Sequence, residues 1–241
     1  EVVRQHLDLM PIRYFLTTAS AKVAQHLQLI ERVRRGEPVA VRWAAFPLAG
    51  YSEVSVCAPG APGRFAKVVG TLTANGINIL SAQLFSRADG VFIRTFQVSD
   101  GRGAALDDET VWHRFARDLK EVVLDQKNVR ELIKSRRRDL LAKPIPRGGE
   151  MHTRVEFDNV VSERYTVIDI RAQDRLGLLY VISSTLSDMD LDVALAKIAT
   201  EVDQAVDVFY VTEKQGGKVA EGTRMEQIRE ALMRAIAEGI A

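Results

Sequence analysis

The sequence predicts an α+β protein: two similarly built units in tandem, preceded by a helical arm. Three observations carry this. An internal repeat comes first, because self-similarity decides an architecture. The stretch Val54-Ser55-Val56-Cys57-Ala58-Pro59-Gly60-Ala61-Pro62-Gly63-Arg64-Phe65 recurs at an offset of 114 as Ile168-Asp169-Ile170-Arg171-Ala172-Gln173-Asp174-Arg175-Leu176-Gly177-Leu178-Leu179. The same offset carries Val68 onto Ile182, Thr71-Leu72 onto Thr185-Leu186, Ile77-Asn78-Ile79 onto Leu191-Asp192-Val193 and Ala82 onto Ala196. One deletion near Gly90 makes the offset 113, so that Phe96-Gln97-Val98-Ser99 meets Phe209-Tyr210-Val211-Thr212, as a hairpin loop of changed length requires. The second observation is that each copy reads strand, Gly-containing turn, amphipathic helix, two strands, helix. The third is that residues 1–35 are of different character.

Along the chain, Leu27, Ile30 and Val33 lie amid Lys22, Glu31, Arg32, Arg34 and Arg35, a helical arm that has no core of its own and must pack on something else. After Pro38, Val39–Trp43 is expected to add an edge strand antiparallel to Val54–Ala58. In the first unit, strand Val54–Ala58 leads through the turn to helix Arg64–Ala74, which Gly76 ends. Asn78–Arg87 and Val91–Ser99 are strands joined by the hairpin signal Ala88-Asp89-Gly90. Asp107-Asp108-Glu109 suits the start of a helix running to the region of Arg138. Lys143-Pro144-Ile145-Pro146-Arg147-Gly148-Gly149 is a connecting loop, and His152–Val160 a strand. That makes the first unit β-α-β-β-α-β, the ferredoxin-like order. The second repeats it with strands Thr166–Ala172, Asp192–Val202 and Ala205–Glu213 and helices Leu178–Asp188 and Thr223–Ala237, but stops after its second helix, so its fourth strand is missing or supplied from elsewhere. The expected boundaries are 1–50 for the arm and linker, 51–161 for the first unit and 162–241 for the second.

Composition excludes several classes. Hydrophobic residues make up 46% of 241, enough for buried cores and too many for a disordered chain. A net charge of +1 supplies no global field toward nucleic acid or membrane. The β-α-β-β-α-β order is shared with RNA-binding modules. Those need stacking aromatics on the first strand as well as the third, and Val54-Ser55-Val56 offers none beside Phe92 and Phe96. No apolar run reaches the roughly 18 residues of a membrane span. The single cysteine, Cys57, forbids an intrachain disulfide and suits the cytoplasm; inside a strand, it reads as core. The start has neither signal-peptide pattern nor Met, which suggests a piece of a longer protein.

Catalytic and metal motifs are missing. His6, His26, His113 and His152 are scattered. The Asp-x-Asp triplet Asp188-Met189-Asp190 has no Gly-Ser turn before it and reads as the end of a helix. No catalytic residue, metal or cofactor is therefore expected. Arg136-Arg137-Arg138 complements a helix C-terminus and reads as a solvated face, with a docking contact as the alternative.

The chemistry lies in the turns Gly60-Ala61-Pro62-Gly63 and Asp174-Arg175-Leu176-Gly177. Backbone N–H groups at a helix N-terminus favour a carboxylate, Gly permits close approach, and a neighbouring acid receives an amino group. Together they suit an amino-acid zwitterion; a tight turn needing Gly for geometry alone is the other reading.

These residues resemble a known family. Asp174-Arg175-Leu176-Gly177-Leu178-Leu179 and Ala61-Pro62-Gly63-Arg64-Phe65 are similar to the Asp-x-Pro-Gly-Leu-(Leu/Phe) turn of ACT domains, small modules that bind amino acids, and Gly76-Ile77-Asn78-Ile79 to the opening of their second strand. More specifically, Phe157–Ser162 with Tyr165–Asp169, Asp174–Tyr180, Ala196–Thr200 and Asp207–Thr212 resemble the C-terminal regulatory half of the bacterial bifunctional PII uridylyltransferase/uridylyl-removing enzymes. Met10–Phe15 with His26 resembles the segment leaving their HD hydrolase domain. The resemblance implies a cytoplasmic glutamine-sensing tandem that switches such an enzyme between uridylylating the signalling protein PII and reversing it. Mg²⁺ would belong to catalytic domains outside this chain, and the ACT domains could pair within the chain or in a homodimer. A free-standing ACT-repeat regulator is the alternative. The implied effector residues are Asp174, Arg175, Gly177, Leu178 and Leu179, with Asp192 at the facing strand start as the other wall; Gly63 and Asn78 are further candidates. Departures from the pattern are Gly60 and Arg64 in the first turn, where Asp and Leu are usual, and Leu176 for Pro in the second.

Overall fold

The computed structural model describes residues 2–100, 102–141, 153–201 and 204–239. The arm is three helices, α1 (Val2–Leu9), α2 (Ile12–Thr17) and α3 (Ser20–Arg34). The first half follows as β1 (Ala40–Phe46), β2 (Tyr51–Pro59), α4 (Arg64–Ala74), β3 (Asn78–Ser86), β4 (Val91–Ser99), α5 (Glu109–Val123) and α6 (Val129–Leu141). The second is β5 (Arg154–Asp158), β6 (Thr166–Gln173), α7 (Leu178–Asp188), β7 (Leu191–Glu201), β8 (Gln204–Glu213) and α8 (Thr223–Glu238). All eight strands form one sheet in the order β1-β2-β4-β3-β7-β8-β6-β5. Every pairing is antiparallel, including the central one, where Ala82 of β3 lies opposite Ile198 of β7. Read outward from that centre, the two halves have the same strand order, so the repeat of the sequence is a repeat of structure about the β3–β7 seam.

One strand assignment changes. The strand expected to close the first unit forms over Arg154–Asp158 but pairs with β6, Val155 opposite Ile170. It closes the second half, as β1 closes the first by pairing Val41 with Val56. Each ferredoxin-like half thus takes its edge strand from the chain preceding it. The boundary drawn at 161/162 moves to before β5, and β1 joins the first half instead of the linker. His152 and the 143–149 loop lie outside the described residues.

The helix expected from 107 to 138 is two helices. Asp108 caps α5 by accepting from Thr110 N–H at 2.8 Å. After Val123 the chain turns through Asp125 at φ 57°, and Asn128 opens α6 by accepting from Arg130 N–H at 2.8 Å. Arg136 is not on a solvated face. Its guanidinium donates to Asp118 at 2.7 Å and Asn75 at 3.0 Å, while Lys127 reaches the other Asp118 oxygen at 3.1 Å. Asp118, wholly buried, is thereby the tie among α4, α5 and α6. The side chains of Arg137 and Arg138 lie outside the described residues.

The helices of both halves cover one face of the sheet. Val54, Val56 and Phe96 meet Val68, Leu72 and Phe115 there; Ile168, Ile170 and Phe209 meet Ile182, Leu186 and Leu232 in a continuous core. The halves also join through helices, because Gly70 of α4 has no side chain. A Cβ there would fall 2.6 Å from Val129 and 2.7 Å from the Tyr180 ring of α7.

The arm covers the opposite face of the first half, with Met10, Tyr14, Leu29 and Ile30 against Cys57, Phe85 and Ile93. Two of its buried polar side chains find partners: Tyr14 Oη lies 2.9 Å from His26 Nδ1, and His26 Nε2 3.2 Å from Thr95 Oγ1 of β4. Burial, then nearby Lys22 and His6, pushes His26 down to about 4. Burial pushes the Cys57 thiol up to about 12, so it is inert core.

A candidate effector site between the repeats

Both strand-to-helix turns end in a glycine that only a left-handed conformation fits, Gly63 at φ 67° and Gly177 at φ 85°. Neither N-cap glycine can cap the helix that follows, α4 or α7; the Arg64 and Leu178 N–H groups donate back to the Ala61 and Arg175 carbonyls at 3.1 Å, and the next N–H groups of each first turn face whatever stands before it. What stands before each is the other repeat. The antiparallel seam sets the head of β3 against the second turn and the head of β7 against the first, producing two related cavities.

The first cavity is lined by Asp174, Arg175, Gly177, Leu178 and Leu179 from the second turn, and by Thr73, Ile77, Asn78 and Ile79 from the first repeat. Ile198, Ala205 and Asp207 form its floor. Its volume is about 20 Å³, room for a water or two. Arg175 is turned to the C-terminus of α8, where it donates to the Ile236 carbonyl. Asp207 is the residue that sequence reading missed. It is 1% exposed, and its Oδ1 has no hydrogen-bond partner among the described residues. Burial first, and the charges of Asp174 and Asp169 after it, push its carboxyl up to about 8 against a backbone hydrogen bond from Ala199 that favours ionisation. A signal was present in sequence: within Gln204–Glu213, alternating burial makes Asp207 the one acid on the inward face.

The wall assignment also changes. Asp192 does not face Asp174; with Leu191, Val193 and Ala194 it lines the second cavity, opposite Gly60–Ala66. Asn78 takes the place across from Asp174. The seam is the reason, since it brings the β3 and β7 heads past each other into the partner repeat. Six of the eight residues expected at the site thus line one cavity, and Gly63 and Asp192 line the other.

Electrostatically, the first cavity gathers the carboxyl groups of Asp174 and Asp207 and the Asn78 amide beside the N-terminus of α7. That set can hold an ammonium and a carboxylate a few ångströms apart, the pattern of an α-amino acid. Among the described residues no group of three His, Cys, Asp or Glu is placed to hold a metal, and no helix is long and apolar enough to cross a membrane.

Comparison with known proteins agrees with this architecture. Residues 154–240 match the family model of the ACR9-like, ACT-like domain, a span that begins at β5. The bifunctional uridylyltransferase/uridylyl-removing enzyme of Rhodospirillum rubrum is 32% identical over 237 residues, 98% of this chain and 25% of that protein. Its counterpart in Gluconobacter oxydans is 29% identical over 232 residues, 96% of this chain and 24% of that protein. Aspartate kinase from Synechocystis aligns with 78% of this chain and 27% of its own at 16% identity and a TM-score of 0.39, too loose to carry an argument. The chain spans about a quarter of the length of the relatives it matches. Over nearly all its residues, the chain is similar to a part of the bifunctional uridylyltransferase/uridylyl-removing enzymes, and its second repeat carries an ACT-like domain.

Proposed function

We propose that this chain is the amino-acid-sensing regulatory module of a PII uridylyltransferase/uridylyl-removing enzyme, with glutamine as effector. The observation that carries it is the cavity at the seam, whose walls come from different repeats: Asp174 and the α7 N-terminus on one side, Asn78 on the other. An amino acid is larger than the present cavity, so it enters only as the walls part. Binding energy is then spent on the relation between the repeats, which is what a switch needs: the effector favours one arrangement, and catalytic domains coupled to that arrangement respond. Similarity that runs through the arm as well as both repeats favours this reading over a free-standing regulator.

In this reading the ligand ammonium lies by Asp174 and Asp207, its carboxylate at the first turn of α7, and the side-chain amide by Asn78. Isothermal titration of the chain with glutamine, glutamate and asparagine tests it. Saturable binding selective for glutamine and lost in Asp174→Ala is expected; no binding of any of the three would refute the site.

A further inference from the structure

The two cavities are related by the repeat, but their chemistry is opposite. Arg94 of β4 and Asp207 of β8 hold the same place, Arg94 opposite Val56 and Leu84, Asp207 opposite the corresponding Ile170 and Ile198. Both side chains point under the turn of their own repeat. Elsewhere the second cavity replaces acid with nothing and apolar with cation: Gly60 stands where the first has Asp174, and Arg64 where it has Leu178.

We propose that the cavity between the Gly60–Gly63 turn and the head of β7 is a second ligand site, for a small organic carboxylate held by Arg94. Arg94 is 8% exposed, and its Nη1 has no acceptor among the described residues. A buried guanidinium left so is expensive, and the rings of Phe92 and Phe65, 4.4 and 5.0 Å from its central carbon, compensate in part without supplying an acceptor. Burial, then the neighbouring Arg64, brings its pKa down to about 9, which a bound anion would reverse.

The surroundings suit the same ligand. Arg64 donates to the Val123 carbonyl at 2.8 Å, and its Nε has no partner among the described residues. The N-terminus of α4 adds N–H groups directed at an anion. The cavity measures about 320 Å³, so it takes a small metabolite as it stands. At the far wall the Asp192 carboxylate sets the polarity of the occupant. The carboxylate end goes to Arg94, and the other end is neutral or cationic. A guanidinium can bind a carboxylate with two parallel N–H···O bonds, which Arg94 supplies in a desolvated place where they count most.

The test titrates the chain with propionate, β-alanine and 4-aminobutyrate, in the wild type, Arg94→Gln and Asp207→Asn. Saturable binding of at least one probe is expected, weakened about tenfold or more by Arg94→Gln and unchanged by Asp207→Asn. Because Arg94→Gln could disturb folding, amide chemical shifts of the wild type are followed as well. The Phe65 and Ala66 amides should move with the carboxylate while Gly177–Leu179 stay. Equal affinity in Arg94→Gln, movement only at Gly177–Leu179, or no saturation by any probe would each overturn the proposal. The outcome is separable from the effector reading, which rests on Asp174 and the other cavity.

Discussion

Asn78, at the head of β3, and Asp174, in the turn before α7, line the same cavity although they belong to different repeats. Losing either should therefore weaken glutamine alike. Asp174→Ala and Asn78→Ala are expected to cost about tenfold or more in affinity by calorimetry, with melting temperature little changed because both lie at the cavity rim. Asp192→Ala should leave glutamine affinity as it is; a loss there equal to that of Asn78→Ala would return the wall to the second repeat.

Asp207 makes stability depend on pH with a definite sign. Its carboxyl titrates near 8 in the folded chain and near 3.8 in the unfolded one. Between these values the folded state keeps a proton that the unfolded state releases, so Asp207 contributes less stability as pH rises, by up to about 1.4 kcal/mol per pH unit. Asp207→Asn removes that slope. Urea denaturation from pH 4 to 8 should show the variant gaining on the wild type throughout the window; a constant difference would mean that Asp207 is ionised in the fold.

Glutamine binding should release protons at pH 7 in the proposed arrangement. An ammonium beside Asp207 favours its ionised form, and the proton held there by burial leaves. Titration in buffers of different ionisation enthalpy reads this directly, and Asp207→Asn should abolish the buffer dependence. Proton uptake in the wild type would place the ammonium elsewhere.

On the acid side, His26 gives the opposite sign. Its folded value of about 4 lies below its ordinary 6.5, so the unfolded chain takes up a proton that the folded chain refuses as pH falls through that window. The arm should therefore loosen from the first half between pH 6.5 and 4. Hydrogen exchange in α3 is expected to accelerate over that range, and His26→Gln should reduce the response, the remainder coming from His6, which burial and then Arg87 likewise hold down to about 4.

Gly70 is a packing requirement of the interface. Gly70→Ala places a methyl against Val129 and the Tyr180 ring, and overpacking of this kind costs about 1–3 kcal/mol. The loss should appear in denaturant midpoints. A neutral substitution would show that α4 and α7 can separate freely, and would weaken the case for a rigid seam.

The repeat, the α+β class, the turns and most elements are legible in the chain because they rest on short-range rules. Hydrophobic period marks helix and strand, and glycine marks the left-handed ends of both turns. Even the pairing of β1 with β2 follows from alternation beside Pro38. What the sequence does not contain is which surfaces meet. The strand at Arg154–Asp158 has the same alternation whichever sheet edge it joins, and only the packed fold gives it to β6. Asp192 and Asn78 are equivalent heads of equivalent strands, and the antiparallel seam of β3 with β7 alone decides that each serves the opposite turn. Asp207 and Arg94 are ionisable residues within largely apolar strands until the fold buries them. Burial is a property of the assembled layers, and it turns two ordinary residues into the opposed floors of two cavities.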